Sequence, residues 1–331
     1  MSHPAPIWLR EEDVCAVLDL PAAIDALERV LALEAAGEAA NLEKTHLALP
    51  HGATLHALGA AIHGRDLAGV KSWAHTAGGA APLLALWDAA EGGLLAVIEA
   101  FALGQLRTAA VSGVATRCLA RTDADVMALA GTGKQALPQA AAVAAVRELR
   151  ELRIFGRDPA RRAALAERAR ATGLARSVRE AASMGEATAG AGIVTLATRA
   201  TAPFLEAWML APGAHVNAIG AITPDRAEVA QDVLGRCTVV VADAPVAALR
   251  LSRELSTWYG AAGGERPALE ALSTRVARRA PRPPDADLTL FKAMGMGLSD
   301  VALGAEVLAR ARAAGRGLAL PPAERVAPRL R

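Results

Sequence analysis

The sequence predicts an α/β protein that contains a doubly wound parallel sheet and a second, α+β domain. Between residues 125 and 250, short apolar runs alternate with segments rich in Ala, Arg and Glu, which is typical of strands and helices in a parallel sheet. Before that region, short apolar runs are cut by glycines. The chain has 331 residues, a length that suggests two domains.

Composition narrows the class of protein. Hydrophobic residues make up 53% of the chain and charged residues 21%, which favours a packed globular protein. The net charge is +2, with 36 basic and 34 acidic residues spread along the chain, so we expect no nucleic-acid partner. The three cysteines lack CxxC spacing, and neither a signal peptide nor a membrane-spanning run is evident. We therefore expect a soluble cytoplasmic protein without a membrane partner.

Four histidines, His46, His51, His56 and His75, lie near one another in sequence. Steps of five residues match neither the i, i+4 spacing of a helical metal pair nor the even spacing of one strand face. We therefore expect histidines dispersed over strands and loops, and no metal site.

The elements before residue 125 follow from apolar spacing. Residues 11–38 have helical spacing, with Pro21 suited to a first turn and Gly37 to the end of the helix. Residues 45–105 contain short apolar runs that predict a small mixed or antiparallel sheet. Helical spacing returns in the segment LGQLRTAAVSGVATRCLAR.

The predicted parallel sheet contains the runs VMALAG, LRIFG, IVTLA, HVNAIG and TVVVAD. Their nearly continuous apolar character is typical of strands buried on both faces. The alternation ends near residue 250, and we expect a polar, proline-rich connection over residues 260–290.

The segment VMALAGTGKQALPQ carries the sharpest motif of the chain. A strand runs into Gly131, Thr132, Gly133 and Gln135, and a helix follows. The first glycine permits a tight turn, the second lets the backbone approach a pyrophosphate, and the helix N-terminus favours negative charge. These features predict a Rossmann dinucleotide-binding domain.

The end of the second strand of this domain bears on the choice of dinucleotide. An acid there accepts from the ribose of NAD(H), whereas an arginine suits the phosphate of NADP(H). Arg157 comes first, and Asp158 follows it, where it can cap the next helix instead. We expect NADP(H) to be preferred, with NAD(H) possible.

Nearly the whole chain resembles the ornithine cyclodeaminase/μ-crystallin family. The landmarks are GVKS, LRTAA, GTGKQA, TLAT, PGAHVNAIGA and FKAMGMGLSD. The resemblance implies a homodimer whose substrate-binding and dimerisation domain comprises residues 1–118 and 301–331, and a Rossmann domain of residues 119–300. It also implies a small amino or imino acid substrate, bound between the domains.

The resemblance assigns roles to individual residues. Arg107 matches a position that clamps the substrate carboxylate, which suits its guanidinium. Lys71 matches the active-site lysine, and Lys44 matches a position where many members have arginine. Thr108 and Gln135 match positions near the cofactor, and Ile219 and Met294 are expected beside its nicotinamide.

The segment NAIGAITPDRAEV separates the branches of the family. Cyclodeaminase members have an acid-base aspartate where this chain has Ile222. Isoleucine transfers no proton, so the departure favours the ketimine reductases, whose reaction needs one hydride and one proton. Asp225 and Glu228 follow in what the sequence suggests is the first turn of a helix, where acids complement the helix dipole.

These observations predict an NAD(P)H-dependent reductase that converts a small cyclic imino acid into L-proline or L-pipecolate. A dehydrogenase or reductase of open-chain substrates is the first alternative, ornithine cyclodeaminase the second, and a non-catalytic NADPH-binding protein the third. The sequence leaves the ring size, the proton donor and the direction of the reaction in the cell open.

Overall fold

The computed structural model describes residues 5–321 and 326–330. Residues 1–4, 322–325 and 331, which belong to the predicted domain of residues 1–118 and 301–331, lie outside the described residues. Two eight-stranded sheets form the framework of the described chain. The predicted combination of a parallel α/β sheet with an α+β unit is confirmed.

The first sheet is built mainly from the N-terminal third of the chain. Its strands from Ala39 to Glu99 pair antiparallel, as predicted, while the first strand of the chain pairs parallel to the seventh. The elements are β1 (Ile7–Leu9), α1 (Glu11–Val17), α2 (Leu20–Ala35), β2 (Ala39–Asn41), β3 (Thr45–Ala48), β4 (Thr54–Ile62), β5 (Leu67–His75), β6 (Leu83–Asp88), β7 (Leu94–Glu99) and α3 (Phe101–Leu119).

Residues 11–38 are helical over most of their length, as predicted, and form two helices, α1 and α2. The break falls at Asp19, whose side chain accepts a hydrogen bond from Ala22 N at 2.9 Å and caps α2. Pro21 lies in the first turn of α2, as expected. A proline has no amide hydrogen and restricts the residue before it, so it suits the start of a helix better than the interior of a longer one.

The second sheet is parallel throughout and follows α3. Its strands run in the order β10-β9-β8-β11-β12-β15-β13-β14. The elements are β8 (Val126–Ala130), α4 (Ala136–Ala144), β9 (Glu151–Phe155), α5 (Pro159–Ala171), β10 (Ser177–Ala181), α6 (Met184–Thr188), β11 (Ile193–Leu196), β12 (His215–Ala218), α7 (Gln231–Arg236), β13 (Cys237–Ala242), α8 (Pro245–Leu251), α9 (Arg253–Gly260), β14 (Leu269–Ala271), α10 (Leu272–Ala277) and β15 (Leu288–Lys292).

The alternation of strands and helices continues past residue 250, contrary to prediction. The expected connection over residues 260–290 contains β14 and α10 and ends inside β15. β15 lies within the sheet, between β12 and β13, and all five of its residues are buried. Its apolar run is short and follows a long polar stretch, so its place in the sheet depends on pairing with distant strands.

The chain then returns to the first sheet through α11 (Gly297–Ala313) and β16 (Leu318–Ala319). Four residues separate β15 from α11, so the two sheets are tied closely together here. A Cβ at Gly297 would lie 2.1 Å from Gly59 O of β4. The first turn of α11 therefore touches the strand backbone to backbone.

Helix α3 joins the two sheets. It packs against α2 and α11, and also against α4, β12 and β15. Leu27 of α2, Leu103 of α3 and Leu303 of α11 belong to one buried core cluster. Within the described chain, no helix is both long enough and apolar enough to span a membrane.

Candidate functional site

The glycine-rich turn after β8 has the geometry that the motif predicts. Gly131 has a φ of +119°, and a Cβ there would lie 2.4 Å from Ala197 O of the neighbouring strand end. Its amide donates to Phe155 O of β9 at 2.9 Å. Gly131 is therefore required by both the backbone conformation and the close approach of three chain segments.

The same turn leaves room for a ligand. A Cβ at Gly133 would meet no atom within 4 Å among the described residues. Gln135 precedes α4, and its buried Oε1 has no hydrogen-bond partner among them. The first amides of a helix also lack partners within the helix. Open space and amide donors fit the pyrophosphate of a dinucleotide.

The end of β9 shows how Arg157 and Asp158 divide their roles. Asp158 caps α5, accepting from the amides of Ala160 at 3.0 Å and Arg161 at 3.2 Å, so the expected cap is present. Arg162 binds Glu180 at 3.2 Å. Arg157 is exposed, and within the described chain its side chain has no ion-pair partner. It is therefore available to a phosphate.

A cleft of about 500 Å³ lies between the two sheets, beyond the carboxyl ends of the parallel strands. Its walls include most of the predicted site residues: Lys44, Lys71, Arg107, Thr108, Gly133, Gln135, Ile219 and Met294. Gly131, Thr132 and Arg157 are not among the lining residues. Gly131 and Thr132 instead pack against neighbouring segments of the chain. A Cβ at Gly156 would lie 2.5 Å from the Thr132 side chain.

The cleft is strongly cationic. Among the described residues that line it, no Asp or Glu occurs. The cationic side chains are Lys44, Lys71, Arg107, Lys134, Arg199 and Arg226. A cleft with this lining favours a ligand that carries several negative charges, as a dinucleotide together with a carboxylate substrate would.

Lys71 and Arg107 meet at a carboxylate that sequence reasoning missed. Asp300 of α11 is fully buried and accepts a hydrogen bond from Lys71 Nζ. Its Oδ1 also lies 3.4 Å from Arg107 Nε. Asp300 closes the landmark FKAMGMGLSD, so an acid at the start of a buried helix was the available signal.

Burial lowers the pKa of Lys71 to about 8, and the nearby charges of Arg107 and Lys44 lower it as well, while Asp300 raises it. Burial and Arg107 also lower the pKa of Lys44. Amines with depressed pKa values can exchange protons near neutral pH. Lys71 and Lys44 therefore differ chemically from ordinary surface lysines.

Ile222 lines the cleft, and the residues after it do not form the predicted helix. Residues 221–230 are irregular, and α7 begins only at Gln231, so the placement of Asp225 and Glu228 in a first helical turn was wrong. Asp225 is exposed, whereas Glu228 is fully buried. Neither lies among the lining residues of the cleft.

Glu228 ties two loops together. Its carboxylate accepts from Thr198 N and Oγ1 at 2.7 Å each, from Gly220 N at 2.8 Å and from Ala221 N at 3.1 Å. Burial raises the pKa of Glu228. With its oxygens occupied by these donors, Glu228 holds the loops after β11 and β12 and with them the position of Ile219.

Other side chains at the site are also engaged. Thr108 Oγ1 donates to Gly104 O at 2.8 Å, within its own helix. Asp243 accepts from the amides of Met294 at 2.7 Å and Gly295 at 2.9 Å and so holds the return segment. Burial raises the pKa of Asp243.

The clustered histidines lie on strands and a turn, where His46, His51 and His75 are exposed and His56 is partly buried. His46 stacks on His56, with ring centroids 5.9 Å apart, and His56 stacks on Trp73 at 4.8 Å. No group of three or more His, Cys, Asp or Glu side chains suited to a metal ion occurs in residues 5–321 and 326–330. His215 of β12 is fully buried, and burial lowers its pKa to about 3, so it is a neutral core residue.

Three comparisons place the chain among known proteins. The model of the ornithine cyclodeaminase/mu-crystallin family matches residues 6–315. A Δ1-pyrroline-2-carboxylate reductase of Bacillus cereus is 29% identical over 237 residues, which are 71% of this chain and 72% of that protein. The ketimine reductase mu-crystallin of Mus musculus is 35% identical over 170 residues, 51% of this chain and 52% of that protein.

A solved structure extends the similarity over the whole fold. The crystal structure of a probable ornithine cyclodeaminase from Bordetella pertussis has a TM-score of 0.83 and 30% identity. The match covers 96% of this chain and 100% of that one.

The glycine turn supports a prediction with a matched pair of variants. Gly133→Ala places its methyl in open space, so the fold should keep its Tm while the dissociation constant for the dinucleotide rises about tenfold or more. Gly131→Ala instead meets Ala197 O, and should lower the Tm by about 5 °C or more. Fluorescence titration with NADPH and thermal melts measure both effects. Unchanged NADPH binding in Gly133→Ala would contradict the assignment of the turn.

Proposed function

The chain belongs to the ornithine cyclodeaminase/mu-crystallin family, and we propose that it is an NAD(P)H-dependent reductase of cyclic ketimines. The substrate is Δ1-pyrroline-2-carboxylate or Δ1-piperideine-2-carboxylate, and the product is L-proline or L-pipecolate. One observation carries this proposal: the described lining of the cleft combines six cationic side chains with an apolar Ile222 and contains no carboxylate.

The cationic cluster suits the carboxylate of such a substrate. Arg107 and Lys71 lie beside each other at Asp300, and Lys44 is close enough to Arg107 for their charges to interact. These three cations outnumber the two buried carboxylates that interact with them, Asp300 and Asp243, so positive charge remains in excess. A substrate carboxylate compensates that excess, and the Arg107 guanidinium offers it paired donors.

Reduction of an imine by hydride transfer requires only one proton transfer. The reduced nicotinamide, when bound, supplies the hydride. A cyclodeaminase needs further proton transfers to close a ring and release ammonia. Ile222 transfers no proton, and its side chain can instead pack against the methylenes of a cyclic substrate, at about 0.8 kcal/mol per buried CH₂.

The relatives from Bacillus cereus and Mus musculus are named as a Δ1-pyrroline-2-carboxylate reductase and a ketimine reductase. These names support the same reaction class for this chain. For the cofactor we propose a preference for NADP(H), since Asp158 is occupied in capping α5 and Arg157 is free to meet a 2′-phosphate.

We further propose a homodimer that works in the cytoplasm. The cytoplasmic location is supported by three free cysteines. The dimer is supported by exposed leucines at one edge of the first sheet, where Leu47 of β3 and Leu55 of β4 are direct cross-strand partners. Leu47 is 60% exposed and Leu55 45%, and Leu42 lies nearby in the chain at 58%. A second copy of the chain would cover this apolar edge.

The reaction itself is tested by following NADPH oxidation with each cyclic ketimine and with pyruvate plus methylamine as an open-chain control. We expect turnover of a cyclic ketimine and no ammonia from L-ornithine. Ammonia release at a comparable rate would favour a cyclodeaminase. Tight NADPH binding without turnover of any substrate would favour a binding protein.

Replacing Ile222 tests the apolar wall of the cleft. Ile222→Asp should leave ketimine reduction level or lower it, because the carboxylate adds negative charge beside an anionic substrate. Ile222→Val keeps the wall apolar and serves as the matched control, with kcat/KM close to that of the parent protein. A large rise in ketimine reduction in Ile222→Asp would mean that an acid is wanted at this position.

The cofactor preference is tested at Arg157. Arg157→Ala should raise the KM for NADPH about tenfold, through loss of a charged contact to the phosphate, and leave the KM for NADH unchanged. Arg168→Ala removes another exposed arginine, near the far end of α5, and should change neither constant. Equal effects of Arg157→Ala on both cofactors would argue against the phosphate contact.

The dimer is tested by placing charge on the leucine edge. The double variant Leu47→Asp, Leu55→Asp should elute with the mass of one chain, 34.0 kDa, whereas the parent protein should show twice that mass in size-exclusion chromatography with light scattering. Trp208→Ser removes an apolar side chain that is 72% exposed on the second sheet's side and should leave the dimer intact. A monomeric parent protein would refute the proposal.

A further inference from the structure

Lysine is scarce in this chain, and its few positions are concentrated at the cleft. The 36 basic residues include only four lysines, of which Lys44, Lys71 and Lys134 line the cleft. The fourth, Lys292, is buried and binds Glu254 at 2.7 Å. An arginine stays protonated in proteins, whereas an ammonium can lose its proton. The cleft thus retains amines in a chain that otherwise uses arginine.

Asp300 differs from the other buried carboxylates near the cleft. Glu228, Glu254 and Asp243 each accept hydrogen bonds from backbone amides and so hold loops in place. In the part of the chain that the structure describes, Asp300 accepts none from the backbone. Its Oδ1 meets Lys71 and Arg107, and its buried Oδ2 has no partner among the described residues. Burying a carboxylate with so few hydrogen-bond donors costs free energy of folding, and the attraction between its charge and the two cations offsets that cost.

The surroundings of Lys71 leave Asp300 as the group that keeps it charged. On the neighbouring strands, Lys71 pairs with Leu58 of β4 and Leu84 of β6, which are apolar. Helix α3 contributes Arg107, and the segment before β3 contributes Lys44; both lower the pKa of Lys71, as does burial. Asp300 from α11 raises it. The ring of Trp73 lies 5.2 Å from Nζ.

We propose that Asp300 is a positioning residue that keeps Lys71 protonated and aligned with Arg107, so that Lys71 donates the proton of ketimine reduction. This inference rests on the proposed function. The imine carbon gains a hydride from the reduced nicotinamide, and the C=N π electrons become the pair that binds the proton from Lys71 at nitrogen. The imine is reduced to a secondary amine, the nicotinamide is oxidised, and the neutral Lys71 regains a proton from water.

The expected pH dependence of the reaction follows from the direction in which Asp300 shifts the pKa of Lys71. Donation requires the ammonium form, so kcat/KM should fall as the pH rises through the pKa of Lys71, which is about 8. Removing the charge of Asp300 lowers that pKa further. The alkaline limb of the pH profile should therefore move to lower pH, which a purely structural defect would not produce.

The test uses Asp300→Asn, which keeps the shape of the side chain and removes its charge. At pH 8 we expect kcat/KM for the ketimine to fall about tenfold or more, and the alkaline limb to move down by about one unit or more. The dissociation constant for NADPH should stay unchanged. Glu151→Gln is the matched control, since Glu151 is a buried carboxylate paired with Arg153 at 2.9 Å on β9; it should shift neither the rate nor the limb.

A second measurement needs no turnover. Four lysines give four signals in protein labelled with ¹³C at lysine Cε, and Lys→Arg variants assign them. The titration midpoint of Lys71 should move down in Asp300→Asn and stay in place in Glu151→Gln. If the asparagine variant does not fold, Asp300→Ser removes the same charge with a smaller side chain.

The outcomes separate the two proposals. An unmoved Lys71 midpoint, or an equal loss of activity at every pH, would overturn the role of Asp300 even in an active ketimine reductase. A protein that turns over no ketimine, but whose Lys71 midpoint follows the charge of Asp300, would refute the proposed function and leave the coupling of the two side chains intact.

Discussion

Buried carboxylates that accept hydrogen bonds from backbone amides hold together the loops at the carboxyl ends of the parallel strands. Loops that leave such a sheet have amides without strand partners, and burying those amides unsatisfied is costly. Glu228 satisfies amides of two neighbouring loops, Glu254 binds the amides of Glu228 and Val229, and Asp243 binds those of the return segment. The positions of Ile219 and Met294 in the cleft depend on these contacts.

The carboxylates that hold the loops are different from the side chains that line the cleft. The acids near the cleft do not line it. Glu228 accepts hydrogen bonds from backbone amides and Glu254 also binds Lys292, so these carboxylates stabilise loops and add no negative charge to the lining. The lining that the structure describes is left with cations and apolar groups. Asp300 is the exception behind that lining, because its contacts are to the two cations that would meet a substrate. A cleft of this kind is suited to holding an anionic hydride acceptor against a hydride donor rather than to relaying several protons.

Local signals in the sequence predicted the glycine-rich turn after β8 well, because Gly131 and Gly133 lie within a few residues of both a strand and a helix. Long-range features were harder to predict. β15 was missed because its place depends on pairing with β12 and β13, and Asp300 was missed because it lies 229 residues from Lys71 in the chain. Glu228 was placed in a helix because acids near a prolyl turn suggest one, whereas burial against distant loops decides its role.

The placement of Asp300 follows from a contact that carries no charge. Gly297 must lie against the backbone of Gly59, since any side chain there would overlap the strand. Asp300 is three residues farther along α11 and so lies on nearly the same face of the helix. Leu58, next to Gly59, is the register partner of Lys71 on β5. The glycine contact thus determines how deep α11 sits on the first sheet, and that depth brings the Asp300 carboxylate to the Lys71 amine.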